Sequence, residues 1–130
     1  MKSKTFPIAG IALAATLLAT GAIAQQPAAT IQVLANNTFS PADVTINVGD
    51  TVLWQHVGGF HTVTSGTGSS DPDSGDLLNV ASDPSTPQFM FTFTEPGVID
   101  YYCVPHEFVN MRGTITVQAT DDIIVGNVVQ

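Results

Sequence analysis

"YYCVPHEFVNMRGTITVQ", Tyr101 to Gln118, contains the only cysteine of the chain, a histidine three residues later and a methionine five residues beyond that. Its last part, Arg112 to Gln118, alternates polar and apolar residues in the period of a half-buried strand. The segment leading into it, "VIDYYC" (Val98 to Cys103), is rich in β-branched and aromatic residues and reads as another strand. Cys103, His106 and Met111 therefore fall in and beside a tight loop between two strands. Such a loop can fold a thiolate, an imidazole and a thioether around one point.

Working outward, the same strand pattern recurs. "TIQVL" (Thr30 to Leu34), "VTINV" (Val44 to Val48), "TVLWQH" (Thr51 to His56), "HTVT" (His61 to Thr64) and "QFMFTF" (Gln88 to Phe93) are short and separated by turn residues. Gly49-Asp50 predicts a hairpin between the second and third of these, and "TEPG" a turn before Val98. Helical periodicity of useful length occurs only at the very start of the chain. The expected fold is all-β: an antiparallel Greek-key β-sandwich or barrel of about seven to eight strands. Ser65 to Pro87, rich in Ser, Gly, Asp and Pro, reads as a long surface excursion in which "DLLN" (Asp76 to Asn79) can form one helical turn. The tail "DDIIVGNVVQ" suits a further strand or a frayed end equally well.

The first residues, "MKSKTFPIAGIALAATLLATGAIAQQ", combine two lysines, an apolar run and the small-residue site "AIA" at Ala22 to Ala24. This is the three-part form of a secretory signal peptide, with 1–24 removed and 25–130 forming one exported domain that has no stable membrane insertion. A retained anchor is the alternative. The remainder is long enough for one compact domain and too short for two. Export implies the periplasm or the extracellular space, or a thylakoid lumen in a photosynthetic host. In an oxidising compartment a lone cysteine is buried and inert, bonded to another chain, or held as a metal thiolate.

Lys2 and Lys4 lie in the leader, which leaves Arg112 as the one Lys or Arg of the exported part against 11 Asp and Glu. Almost nothing is available to neutralise phosphates, which argues against nucleic acid and an anionic membrane surface as partners. The charge suits a basic protein partner, a high-salt habitat or simple solubility. "DPDSGD" (Asp71 to Asp76) lacks the downstream Glu of a calcium loop and reads as a solvated acidic turn. GxSxG is absent, and Cys103 ends a strand instead of opening a helix, so neither a serine nor a thiol hydrolase is expected.

A metal site accounts for more of the pattern. His61, in "GGFHTVTSG", opens a strand that can lie beside the Cys103 strand. His61, Cys103, His106 and Met111 together make the two-imidazole, one-thiolate set with a weak axial thioether that holds blue copper. The competing reading makes Cys103 and Met111 core fillers and His106 a surface residue. His56, two residues after Trp54, reads as a supporting residue and not as a ligand.

With these residues identified, the chain resembles the small cupredoxins, in particular those of plastocyanin type. The similarity spans Ile31 to Gln118: "FSPADVTINVGDTVLW" resembles the early strands, "GGFHTV" the segment of the first ligand, "DLLN" the helical excursion, and "YYCVPHEFVNMRGTITV" the ligand loop and last strand. The resemblance implies one copper ion on His61, Cys103, His106 and Met111. It also implies a one-electron carrier and not an enzyme, a monomer working between a redox donor and acceptor such as a cytochrome, photosystem or oxidase bearing a basic patch. A copper chaperone or sensor is the alternative, although Met90 and Met111 are the only methionines beyond the leader. A copper enzyme would need further histidines, and Cys103 is flanked by Tyr102 and Val104. Three departures stand out. Thr62 replaces the family's Asn after the first ligand, Glu107 puts a carboxylate beside the expected apolar docking face, and His56 stands where relatives carry Asn. Tyr102 occupies the place of a second, remote docking tyrosine.

Overall fold

In the computed structural model, which describes residues 4–5 and 25–121, nine strands form two packed sheets. They are β1 (Ala29–Leu34), β2 (Thr38–Ser40), β3 (Asp43–Asn47), β4 (Thr51–His56), β5 (His61–Ser65), β6 (Asn79–Ser82), β7 (Gln88–Thr92), β8 (Gly97–Tyr102) and β9 (Arg112–Gln118). One sheet has the order β2-β1-β4-β7 and the other β3-β9-β8-β5-β6. The leader, 1–24, and the tail after Asp121 lie outside the described residues except for Lys4 and Thr5.

The all-β sandwich agrees with the sequence reading, with two strands added. β2 and β6 are short, and neither has enough alternation to announce itself. The pairing corrects two expectations. β1 runs parallel to β4 and β3 parallel to β9, so the sheets are mixed and not antiparallel throughout. Gly49-Asp50 does not close a hairpin, because β3 and β4 belong to opposite sheets and the chain crosses between them there. The crossing is held from the side: Gly49 N–H donates to Phe93 O at 2.7 Å, and Phe93 N–H donates to Asp50 O at 3.0 Å.

Burial alternates along the central strands, and the inward residues of both sheets make one core. Trp54 of β4 meets Tyr101 of β8 edge-on at 5.9 Å between ring centroids, and Phe39 of β2 reaches the same tyrosine at 4.7 Å. These contacts join the sheets. Removing each buried aliphatic or aromatic side chain of this kind from water is worth about 1.5–3 kcal/mol. "DLLN" forms no helical turn. Leu78 is instead driven into the core, and Asn79 begins β6.

One end of the second sheet positions the site. β8 runs antiparallel to both β5 and β9, pairing Tyr102 with Thr64 on one side and with Arg112 on the other. The end of β8 therefore lies between β5 and the start of β9, and the chain just beyond it, Cys103 and Val104, meets Thr62 near the start of β5. His61, Cys103 and Met111 all fall at that edge, and all three are buried.

Candidate metal centre

The chain leaves β8 at Cys103 and returns to β9 through a 3-10 segment, Val104–Val109, with Pro105 in its first turn. The segment is kinked at His106 (φ −118°, ψ 19°), and Asn110 closes it in the left-handed conformation (φ 60°, ψ 39°), which asparagine tolerates better than most residues. The loop folds on itself through His106 N–H to Cys103 O (3.2 Å), Asn110 N–H to Glu107 O (3.0 Å) and Met111 N–H to His106 O (3.2 Å). Cys103 N–H then donates to Met111 O at 3.0 Å and closes its base.

This turn aims His106 at the buried end of the sandwich. His61, Cys103 and His106 each offer one donor atom, all within 4.8 Å of one another. His106 Nδ1 lies 3.1 Å from His61 Nδ1 and 3.3 Å from Cys103 Sγ, and His61 Nδ1 lies 3.7 Å from the sulfur. His61 and Cys103 are buried, whereas His106 is half-buried and forms the open side of the cluster. Met111 is buried directly beyond the loop.

The tautomer of His61 follows from its neighbour. Its Nε2 is 2.9 Å from Gly58 O, an atom that only accepts, so Nε2 carries the hydrogen and Nδ1 is left as a lone-pair donor facing the cluster. Gly59 makes this approach possible. It has φ +86°, and a Cβ there would collide with His61 Nε2. The pair Gly58-Gly59 was visible in the sequence as part of "GGFH", but its use as a cradle for the ring was not.

Burial lowers the pKa of His61, opposed by the Gly58 bond and reinforced by His106 and His56 nearby. Burial likewise pushes the Cys103 thiol up, against hydrogen bonds from Thr62 and His106 that favour the thiolate. The protein environment alone therefore favours a neutral imidazole and disfavours a bare thiolate, and a cation among the three donors supplies the missing charge. A soft sulfur with two imidazoles, one oriented by a carbonyl, fits copper in kind and in arrangement.

Thr62 bridges the two halves of the site. Its N–H points at Cys103 Sγ at 3.4 Å, and its Oγ1 accepts from Val104 N–H at 2.9 Å and meets Thr64 Oγ1 at 2.9 Å. The threonine thus ties the first-ligand strand to the ligand loop. His56 stands outside the cluster, with its Nδ1 3.4 Å from Ser82 Oγ.

Two residues singled out in the sequence take definite places in the surroundings. Glu107, expected beside an apolar docking face, is engaged within the protein. Its carboxylate turns back to accept from Ser69 N–H, at 3.2 Å to each oxygen, and pairs with Arg112 at 3.2 Å, and these contacts hold it below the usual carboxylate range, the Ser69 bonds first. Tyr102 is no surface tyrosine: it is 1% exposed, and its hydroxyl sits 2.6 Å from Ser74 Oγ. With Glu107 turned away, the exposed large side chains beside the two histidines are apolar: Phe60 at 73%, Phe108 at 83%, and Val57, Val104 and Val109 about half exposed. The ring of Phe108 is 6.4 Å from that of His106. The acidic turn is self-contained, with Asp71 accepting from Thr67 N–H (2.8 Å), Thr67 Oγ1 (3.0 Å) and Asp73 N–H (3.0 Å).

The family model for copper binding proteins, plastocyanin/azurin family, matches residues 29–118. Plastocyanin from Scenedesmus fuscus is 34% identical over 88 residues, which is 62% of this chain and 86% of that protein. Among solved structures, the oxidised plastocyanin from Dryopteris crassirhizoma superposes with a TM-score of 0.58 at 25% identity, covering 68% of this chain and 99% of the other. A purple cupredoxin from Nitrosopumilus maritimus gives 0.59 at 27% identity, covering 69% and 99%.

Proposed function

Because this chain belongs to the plastocyanin/azurin family of copper-binding proteins, we propose that it is an exported one-electron carrier whose single copper ion is held by His61, Cys103, His106 and Met111. The observation that carries this reading is the convergence of His61, Cys103 and His106 donor atoms within 4.8 Å at one end of a rigid sandwich. A bound copper ion supplies the Cu(I)/Cu(II) couple. The chain supplies everything that keeps the donors in place. Gly58 O orients His61, Thr62 donates to the sulfur, and the strand that carries His61 is paired in one sheet with the strand that ends just before Cys103. Fixed donors move little when charge changes, which keeps the reorganisation accompanying electron transfer small.

His106 is the half-buried member of the set, so the exchange of electrons with a partner is assigned to its edge, within the apolar rim of Phe60 and Phe108. Small apolar patches suit the short-lived contacts that a carrier needs. The acidic surface favours a basic redox partner. Removal of 1–24 would release residues 25–130 as a monomeric domain in the periplasm or the extracellular space, or in the thylakoid lumen of a photosynthetic host. Among the described residues no helix is long and apolar enough to cross a membrane.

The deciding experiment is the absorption spectrum of the Cu(II)-loaded protein. An intense thiolate-to-copper band in the red is expected, lost in Cys103→Ser and retained in His56→Ala. A colourless wild type overturns the ligand assignment. Electron carriage is tested by stopped-flow oxidation of a basic c-type cytochrome, with a rate that falls as ionic strength rises; a coloured protein that exchanges no electrons is a copper store or sensor. Mass spectrometry of the secreted protein, with an N-terminus at Gln25, checks the leader.

A further inference from the structure

The loop that carries His106 projects beyond the strands, and its internal hydrogen bonds fix its shape without fixing its place. Among the described residues, Thr62 ties it to β5 at Val104. On the opposite side it is tied by Glu107 and Arg112, which immediately follow His106 and Met111 in the chain. Ser69 N–H donates to both Glu107 oxygens, Arg112 pairs with the same carboxylate, and Arg112 Nη1 donates to Thr67 O. The guanidinium lies over the Tyr102 ring, 5.7 Å from its centre, and the Tyr102 hydroxyl continues to Ser74. Gly68 sits so close that a side chain there would collide with Glu107 Oε1.

The segment to which this network fastens the loop is itself anchored. Gly66 N–H donates to Asp100 O (2.8 Å) and Gly75 N–H to Ser65 O (2.9 Å), while Ser65 Oγ accepts from Leu77 N–H (3.1 Å) and Leu78 N–H (3.0 Å). Leu78 is buried in the core. The long excursion is therefore a solid shoulder and not a free loop. An exposed ion pair contributes little to stability by itself. A planar guanidinium that forks between a carboxylate and a carbonyl while lying on an aromatic ring fixes geometry.

We propose that Glu107 and Arg112 are positioning residues: together they brace the ligand loop against the Thr67–Ser74 shoulder and so set where His106 and Met111 stand relative to His61 and Cys103. The proposal rests on the ligand assignment above, and it explains why the one cation downstream of Lys4 stands next to Met111. Moving either residue moves the backbone of a neighbouring ligand directly.

The test compares wild type, Glu107→Ala and Arg112→Met, metal-free and copper-loaded. In the metal-free proteins, amide hydrogen exchange at Ser69 and Asn110 should quicken about tenfold or more in both variants, with Val63 and Ile115 in the sheet unchanged. In the copper-loaded proteins, the intensity ratio of the two thiolate charge-transfer bands should shift in the same direction in both variants, although one loses a negative charge and the other a positive one. Unaltered exchange at Asn110 overturns the brace. So does an unchanged band ratio with reduction potentials moving in opposite directions, because that is the response to charge alone. A wild type lacking the thiolate band defeats the ligand assignment instead, and the exchange measurement still decides the brace.

Discussion

Thr62 and Cys103 are 41 residues apart in the chain, yet the backbone N–H of Thr62 points at the Cys103 sulfur at 3.4 Å while its hydroxyl accepts from the next amide, Val104, at 2.9 Å. One residue thus solvates the thiolate and pins the loop that follows it. Thr62→Val keeps the shape and the backbone donor but removes the acceptor for Val104. A loss of about 1 kcal/mol in unfolding free energy is expected, together with a shifted charge-transfer band in the copper-loaded protein. Denaturant melts and an absorption spectrum check both, and a variant identical to wild type in each would show that the hydroxyl holds nothing.

Gly59 tests the cradle around His61. Gly59→Ala would place a methyl group in the space of the ring and force an unfavourable φ of +86° on alanine. Destabilisation of about 1–3 kcal/mol is expected from the backbone conformation. Copper affinity should fall more than tenfold, because the bond from Nε2 to Gly58 O orients the ring. Gly49→Ala has a similar φ of +91° and an open surrounding, so it is the control that loses stability and keeps affinity.

Tyr102→Phe separates burial from docking. Losing the bond to Ser74 should cost about 1 kcal/mol of stability. The bimolecular rate with a basic redox partner should not change, since the ring is covered by Arg112 and the shoulder. A fall in that rate at unchanged stability would give Tyr102 the docking role of the family position it occupies.

Acid should loosen the metal-free protein through its turns. Asp71 is held below the usual 3.8, first by the Thr67 N–H and then by Asp73, and Asp83 likewise by Ser85 and Thr86. Between each folded value and 3.8 the unfolded chain binds more protons than the folded one, so stability rises with pH across that window. The contribution is complete above the unfolded value and is lost as pH falls through the folded one. Asp71→Asn and Asp83→Asn should each lower Tm at neutral pH, where the contribution is complete, and converge with wild type in acid, which flattens the acid limb of Tm against pH.

Removing the ion should lower the melting temperature, since the buried cluster binds it only when folded. With free copper at about 1,000 times its Kd, linkage stabilises the native state by about 4 kcal/mol. Calorimetry of metal-free and loaded protein should show the shift, and Cys103→Ser should lose most of it.

The sequence alone determined the strands with strong alternation, and the chemical types and chain order of the three side chains that converge, His61, Cys103 and His106. These are local properties: a period of two is written in five residues, and a cysteine without a partner is a matter of counting. Only the tertiary structure decided which sheet each strand joined. β3 and β4 look like a hairpin because Gly49-Asp50 looks like a turn, but the core they bury belongs to two sheets, and long-range pairing with β9 and β1 prevails. The same holds around the site. Nothing near Glu107 in the sequence says that its carboxylate will turn to Ser69, 38 residues away, or that Thr62 will meet Val104 across 42. Those directions are set when distant segments compete for the same buried edge, and a local pattern carries no record of that competition.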